Sequence, residues 1–271
     1  MVFQCGWLAA IAVIVSAAAY ADDDHAGWYK LDPGNTLVID TSKGRLVIEM
    51  RPDFAPLGVA RIKLLSREHV YDGLLFHRVI DGFVDQTGNP NNHDGGVSAH
   101  PNLPPEFIAD ITDKQIDATA TRASDTISGF DGVQPFVAMK SPGHPGVWRA
   151  WGAYCGGVAG MGRQAGIDTG NSEIFFMRAP ARRLDHDYTV WGRVVSGQNL
   201  VRAIAVGEPP AHPDRMVRVR VMEDLPEAER PKLEVVDTAS PGFQAAIRAT
   251  REREGADFSI CDIPIASRPA R

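Results

Sequence analysis

A mostly β domain, closed into a barrel with helices over its ends, is the fold that this sequence predicts. Three observations carry it. Short runs rich in Val, Ile, Leu, Phe and Thr recur along the chain; Gly, Asp and Asn punctuate them; and only two segments before residue 224 carry a convincing helical pattern. A β-sandwich is the structural rival.

The first two runs, TLVID at 36–40 and RLVIEM at 45–50, flank Thr41-Ser42-Lys43-Gly44. They read as a hairpin in which Gly44 takes a positive φ. Asp53 is then placed to cap a helix over 55–68. Pro56 sits in its first turn, where a missing N–H is harmless, and Val59, Ile62, Leu64 and Leu65 are its apolar positions. Tyr71-Asp72-Gly73 is a turn, 74–80 a strand, Asp81-Gly82 another turn and 83–86 the next strand. Residues 89–96 are turn formers. Residues 109–155 mix polar stretches with PGHPG at 142–146 and contain Trp148 and Trp151. A segment so long is functional or has structure of its own, and the tryptophans favour a packed insertion. Strands are expected again at 173–177, 188–195 and 217–222, and a second helix at 198–205, preceded by Gly197 and carrying Leu200, Val201 and Ile204. Residues 225–271 are interrupted by Pro226, Pro231 and Pro241 and hold a polar helical stretch at 243–254. They read as a C-terminal extension packed on the main domain.

Composition removes several functions. The chain has 271 residues, is 44% hydrophobic and carries 28 Lys and Arg against 34 Asp and Glu, a net charge of −6. So much apolar material builds a core, which excludes a disordered chain. The acidic balance argues against nucleic-acid partners. Three cysteines cannot build a four-cysteine zinc site, and His93, His100, His144, His186 and His212 show no tight ligand spacing. Neither a metal nor another cofactor is expected. No G-x-S-x-G elbow or phosphate loop occurs.

Residues 1–21 read as a signal peptide: an apolar run from Trp7 ends at Ala19-Tyr20-Ala21, and Asp22-Asp23-Asp24 follows. The run lacks a Lys or Arg before it and is shorter than the roughly 20 residues a spanning helix needs; an uncleaved anchor is the competing reading. Cleavage removes Cys5 and leaves Cys155 and Cys261, which can pair in an oxidising compartment or remain free. This leader, together with the family resemblance described next, sets the expected location as a bacterial periplasm, with full secretion as the variant.

The segment FHRVIDGFVDQTG at 76–88 resembles the active-site signature of the cyclophilins, the peptidyl-prolyl cis-trans isomerases, whose pattern is roughly F-H-R-x-I-x-G-F-x-x-Q-x-G. Flanking pieces follow in family order. LPPEF at 103–107 resembles I-P-D-E-F, and GVAGMG at 157–162 resembles G-x-L-S-M-A. Asn171-Ser172, Phe175-Phe176, Leu184-Asp185, YTVWG at 188–192 and GQNLV at 197–201 come after them. The resemblance covers 34–224 apart from the insertion. It implies an eight-stranded antiparallel barrel closed at each end by a helix, monomeric, acting on Pro-containing unfolded or folding polypeptides. It also implies a site: Arg78 and Gln86 for catalysis, and Phe83, Val84, Gly162, Arg163, Phe175, Phe176, Leu184 and Tyr188 around the substrate.

That chemistry is non-covalent. An X-Pro amide resists rotation by about 18–20 kcal/mol because the nitrogen lone pair is delocalised. A catalyst needs an apolar pocket for the ring and a fixed donor for the nitrogen as it becomes pyramidal. Arg78 offers a rigid, always charged fork of N–H groups. Gln86 would hold the substrate carbonyl or orient Arg78. Some positions depart from the family. Glu173-Ile174 replaces Ser-Gln, and Arg183 stands where eukaryotic members carry a cyclosporin-contacting tryptophan, so weak cyclosporin binding is expected. Gly162-Arg163 replaces Ala-Asn. The spacing from Phe176 to Leu184 is one residue short, which leaves open which phenylalanine faces the pocket. A cyclophilin-like module that binds Pro-containing partners with little catalysis is the alternative function.

Overall fold

The computed structural model describes residues 27–270; the expected signal peptide and Cys5 lie outside them. After a short strand β1 (Trp28–Lys30), the hairpin forms from β2 (Thr36–Thr41) and β3 (Gly44–Met50), with Thr41 paired to Gly44 and Gly44 at φ 131°. Both faces of this hairpin are apolar because both are covered. Leu37, Ile39, Leu46 and Ile48 point into the main core, while Val47 packs under Leu31, Val133, Val195 and Val235.

Helix α1 (Pro56–Arg67) forms within the expected 55–68, with Pro56 in its first turn, but Asp53 does not cap it. The cap comes from Glu106, whose two carboxylate oxygens accept from the backbone N–H of Leu57 and Gly58 at 2.8 Å each. A carboxylate there meets free N–H groups and the positive end of the helix dipole. Val59, Ile62 and Leu65 are buried; Leu64 faces solvent, one position off the apolar stripe. The strand expected at 74–80 is reduced to β4 (Arg78–Ile80), followed by β5 (Val84–Thr87).

The insertion is a sheet in its own right. Strands β6 (Ala109–Thr112), β7 (Ala118–Arg122), β8 (Thr126–Asp131), β9 (Gln134–Lys140) and β10 (Val147–Gly152) pair antiparallel in the order β6-β10-β9-β8-β7. One cluster holds Ile111, Ile127, Phe136 and Trp148 with Phe54; another joins Ala118, Ala120 and Phe130 to the C-terminal extension. Trp148 also donates its indole N–H to Asp113 at 2.9 Å.

The chain then returns through β11 (Val158–Met161), β12 (Ile174–Met177), β13 (Val190–Ser196), α2 (Gln198–Val201) and β14 (Met216–Val221). Helix α2 is one turn, shorter than the 198–205 expected. The buried Arg178 guanidinium collects the carbonyls of Val201, Arg202 and Ile204 at 2.8–3.2 Å, so these no longer serve a continuing helix. Last come β15 (Leu233–Val236), α3 (Pro241–Glu254) and β16 (Ser267–Pro269). Ser240 caps α3, and Phe243 meets Phe130 edge-on at 5.1 Å. A disulfide joins Cys155 to Cys261. No helix among the described residues is long and apolar enough to cross a membrane.

The main sheet has eight antiparallel strands in the order β14-β2-β3-β13-β11-β12-β5-β4, and β1, β15 and β16 make a separate three-stranded sheet. The expected closed barrel is not reached: β14 and β4 remain edges of an open half-barrel. The isolated bridges Leu75↔Arg215 and Val79↔Gly207, with backbone hydrogen bonds from Gly73 to Met216 at 2.7 Å and from Phe76 to Asp214 at 2.9 Å, cross the gap without forming a ladder. β4 has three residues, and the chain facing it carries Pro209, Pro210 and Pro213, which have no N–H to donate to a ladder.

Candidate active site

Strand register assembles the site. Arg78 pairs with Gln86 across β4 and β5, Gln86 with Phe175 across β5 and β12, and Phe175 with Gly160 across β12 and β11. Side chains directly opposite on one face are neighbours, so Arg78, Gln86 and Phe175 form a row on the outer face of the half-barrel. The row ends on glycine for a steric reason: a Cβ at Gly160 would lie 2.2 Å from Phe175 Cζ. The adjacent row, Val79, Asp85, Phe176 and Ala159, faces inward.

A cavity of about 190 Å³ opens over the outer row, lined by Arg78, Phe83, Val84, Gln86, Gly162, Arg163, Glu173, Phe175, Leu184 and Tyr188. Of the residues expected from the sequence, Phe176 alone is missing. It is fully buried and packs edge-on against Trp191 at 6.0 Å, because strand alternation sends it to the face opposite Phe175. Phe175 is the ring of the cup, held between Tyr154 at 5.7 Å and Tyr188 at 5.8 Å. Two arginines cover the rim: Arg183 lies 4.2 Å over the Phe83 ring, and Arg163 lies 4.6 Å over Tyr188. A larger cavity, about 380 Å³, lies between Arg178, Arg193 and the extension near Cys261, and none of the signature residues reaches it.

Polar groups form a chain along one wall. Arg78 Nη1 donates to Gln86 Oε1; Gln86 Nε2 donates to Glu173 Oε1 at 2.6 Å; Asn89 Nδ2 donates to Glu173 Oε2 at 2.7 Å. Glu173 thereby sets which way the Gln86 amide points, with its oxygen toward Arg78. Arg78 Nε is paired with Glu208 at 2.7 Å, and its Nη2 makes no hydrogen bond with the described residues. The Arg78 side chain is 33% exposed, so that group remains reachable from the cup. Burial pushes the Glu173 carboxyl above its ordinary range; the hydrogen bonds from Asn89 and Gln86 and the Arg78 charge pull the other way, and Asp94 adds to the rise.

Two of these residues escaped the sequence reading. Glu208 lies 130 positions from Arg78 and carries no local signal. Glu173 did carry one. The family alanine is glycine at 162, and a Cβ there would lie 2.4 Å from Glu173 Oε1. Two departures from the pattern therefore fit each other, the small residue making room for the carboxylate.

Comparisons with known proteins converge on one family. The model of the family described as cyclophilin type peptidyl-prolyl cis-trans isomerase/CLD matches residues 36–222. A protein of Brucella suis named "Probable peptidyl-prolyl cis-trans isomerase" is 31% identical over 209 residues, which is 71% of this chain and 85% of that protein. Peptidyl-prolyl cis-trans isomerase B of Bacillus subtilis is 28% identical over 182 residues, 67% of this chain and 92% of that one. The crystal structure of cyclophilin AquaCyp293 from Hirschia baltica superposes with a TM-score of 0.81 at 29% identity, over 92% of this chain and 96% of the other. That share is larger than residues 36–222 make up.

Proposed function

This chain belongs to the cyclophilin-type peptidyl-prolyl cis-trans isomerases, and from that premise we propose that it accelerates X-Pro rotation in folding exported polypeptides by Arg78-assisted twisting of the amide. The convergence of Arg78, Gln86, Phe83 and Phe175 on one ring-lined cup carries this reading.

The proline ring enters the cup against Phe83, Val84, Phe175 and Leu184, which shed water in exchange for it. The segment before the ring turns. As rotation removes amide conjugation, the nitrogen lone pair localises and becomes a better acceptor. Arg78 Nη2 is the donor with no other partner among the described residues, so it can meet that lone pair at the lip. Gln86, pinned by Glu173, keeps the guanidinium in place. A charged hydrogen bond stronger by about 3 kcal/mol in the twisted state than in the planar one accelerates rotation roughly a hundredfold. Nothing is transferred, and no bond is broken.

The test is a protease-coupled proline-peptide assay on wild type and Arg78→Ala. The expected result is a kcat/KM lower by roughly a hundredfold with an unchanged circular dichroism spectrum. Equal rates would end the Arg78 mechanism.

We propose in addition that the protein works in the periplasm or outside the cell. The leader pattern at 1–21 and the Cys155–Cys261 bond, a type of link that persists in oxidising compartments, support this. N-terminal sequencing of exported protein should begin at Asp22.

A further inference from the structure

Behind the Gln86 wall of the cup, three side chains from separate segments converge. His77 precedes β4, Asp94 lies in the turn-rich 89–96 segment, and Glu173 precedes β12. One potential ligand atom from each lies within 4.8 Å of the others. The His77 side chain is only 3% exposed, and neither ring nitrogen has a hydrogen-bond partner among the described residues. Unpaired polar groups are seldom buried, because each forfeits its bonds to water. The carboxylate oxygen Glu173 Oε2 is 3.9 Å from His77 Nε2. That distance is too long for a hydrogen bond, but a metal ion with bonds of about 2.0–2.2 Å to each can span it.

We propose that His77, Asp94 and Glu173 are a binding site for a divalent transition-metal ion of the zinc class. One imidazole and two carboxylates suit such an ion; a nitrogen donor argues against calcium or magnesium, which take oxygen. Three protein ligands leave a coordination position for water. The surroundings are those of a supported ligand. Asn89 donates to Glu173 Oε2 and Gln86 to Glu173 Oε1, which fixes the carboxylate without using all of its lone pairs. Sequence spacing concealed this group, since His77 and Glu173 are almost a hundred positions apart and meet only through the pairing of β4, β5 and β12. The same Glu173 touches Gln86, so the metal site is one hydrogen bond from Gln86 and two from Arg78.

The experiment uses the untagged mature protein, stripped with chelator and titrated with Zn²⁺ alone by calorimetry, with Co²⁺ as a spectroscopic probe. The expected result is one ion per chain and a Co²⁺ visible spectrum of low coordination number. His77→Ala should weaken Zn²⁺ binding beyond the about 10–100-fold typical of an outer-shell partner. Asp94→Asn, at an exposed loop position that leaves the fold alone, should weaken it at least about tenfold. His144→Ala, on the distant insertion, should leave it unchanged. Absence of stoichiometric binding to wild type, or affinity unaltered by both His77→Ala and Asp94→Asn, overturns the proposal. None of these readouts depends on isomerase activity, so the site stands or falls separately from the Arg78 mechanism.

Discussion

The half-barrel and the edge of the inserted sheet each bring an arginine among carboxylates, and they employ it in opposite ways. Arg51, at the end of β3, faces the insertion. Its guanidinium lies 2.5 Å from Asp131, 3.4 Å from Asp53 and 3.5 Å from Glu49, and Glu49 also accepts from the Tyr29 hydroxyl. The Arg51 side chain is 10% exposed and opens on no cavity described above. Arg78, at the edge of the half-barrel, has one carboxylate partner, one amide partner and an unengaged Nη2 over a cup. An ion cluster shielded from any cavity, with even its unpartnered Arg51 Nε buried, holds two sheets together. One with a spare donor at a cavity is available for chemistry.

Breaking each cluster should therefore have different consequences. Arg51→Ala leaves Asp131 and Glu49 buried without their cation and should cost about 3–5 kcal/mol in urea unfolding, with kcat/KM of the folded fraction unchanged. Arg78→Ala should do the reverse: roughly a hundredfold in kcat/KM and little in the unfolding midpoint. If Arg51→Ala loses activity before it loses structure, the division between the two regions is wrong.

The disulfide sharpens the contrast. Cys155–Cys261 closes a loop of 106 positions between the end of the insertion and the C-terminal extension. Removing it by Cys155→Ser with Cys261→Ser should lower stability by about 2–4 kcal/mol while leaving the rate of the folded protein intact. Within the half-barrel, Gly162→Ala should push Glu173 off Gln86 and lower kcat/KM by roughly tenfold, about one charged hydrogen bond. Combining it with Glu173→Ser, which removes the clash, should relieve the steric part; a double variant no better folded than the single would contradict the fit of these two residues.

A further prediction concerns pH. Asp85 faces inward on β5, where burial raises its carboxyl to about 7, against the opposing pull of Arg178 at 2.8 Å. Its ordinary value is near 4, so between those values the folded state holds a proton that the unfolded state releases. Its contribution to stability is full below about pH 4 and is lost as pH rises through about 7. The slope is at most about 1.4 kcal/mol per pH unit. Wild type should show this decline relative to Asp85→Asn in urea midpoints taken from pH 4 to 8; parallel curves would remove Asp85 as its source.

Much of the site is legible in the sequence itself. Arg78, Phe83 and Gln86 sit at fixed offsets in one short signature, and strand alternation over a few residues suffices to bring Arg78 and Gln86 to the same face. The Phe175 and Phe176 pair was not legible, because a one-residue ambiguity in register exchanges inside for outside. Nor was the α1 cap: Asp53 is near in sequence, but Glu106 is the residue whose carboxylate reaches the free N–H groups. The signs of a packed insertion were present in Trp148 and Trp151, whereas its five-stranded order was not, since its pairings depend on contacts that short windows do not contain.

By itself, the sequence determined the hairpin at its start, the helix opened by Pro56, the order of the elements and the chemistry of the cup, because backbone preference, alternation and a compact motif act over a few residues. Tertiary structure decided the rest: the half-barrel left open at its proline-bearing edge, Glu173 placed behind Gln86, Glu208 on Arg78, and His77 gathered with Asp94 and Glu173. Those outcomes depend on which distant carboxylate, ring or strand edge comes within a few ångströms, and proximity of that kind is a property of the folded chain.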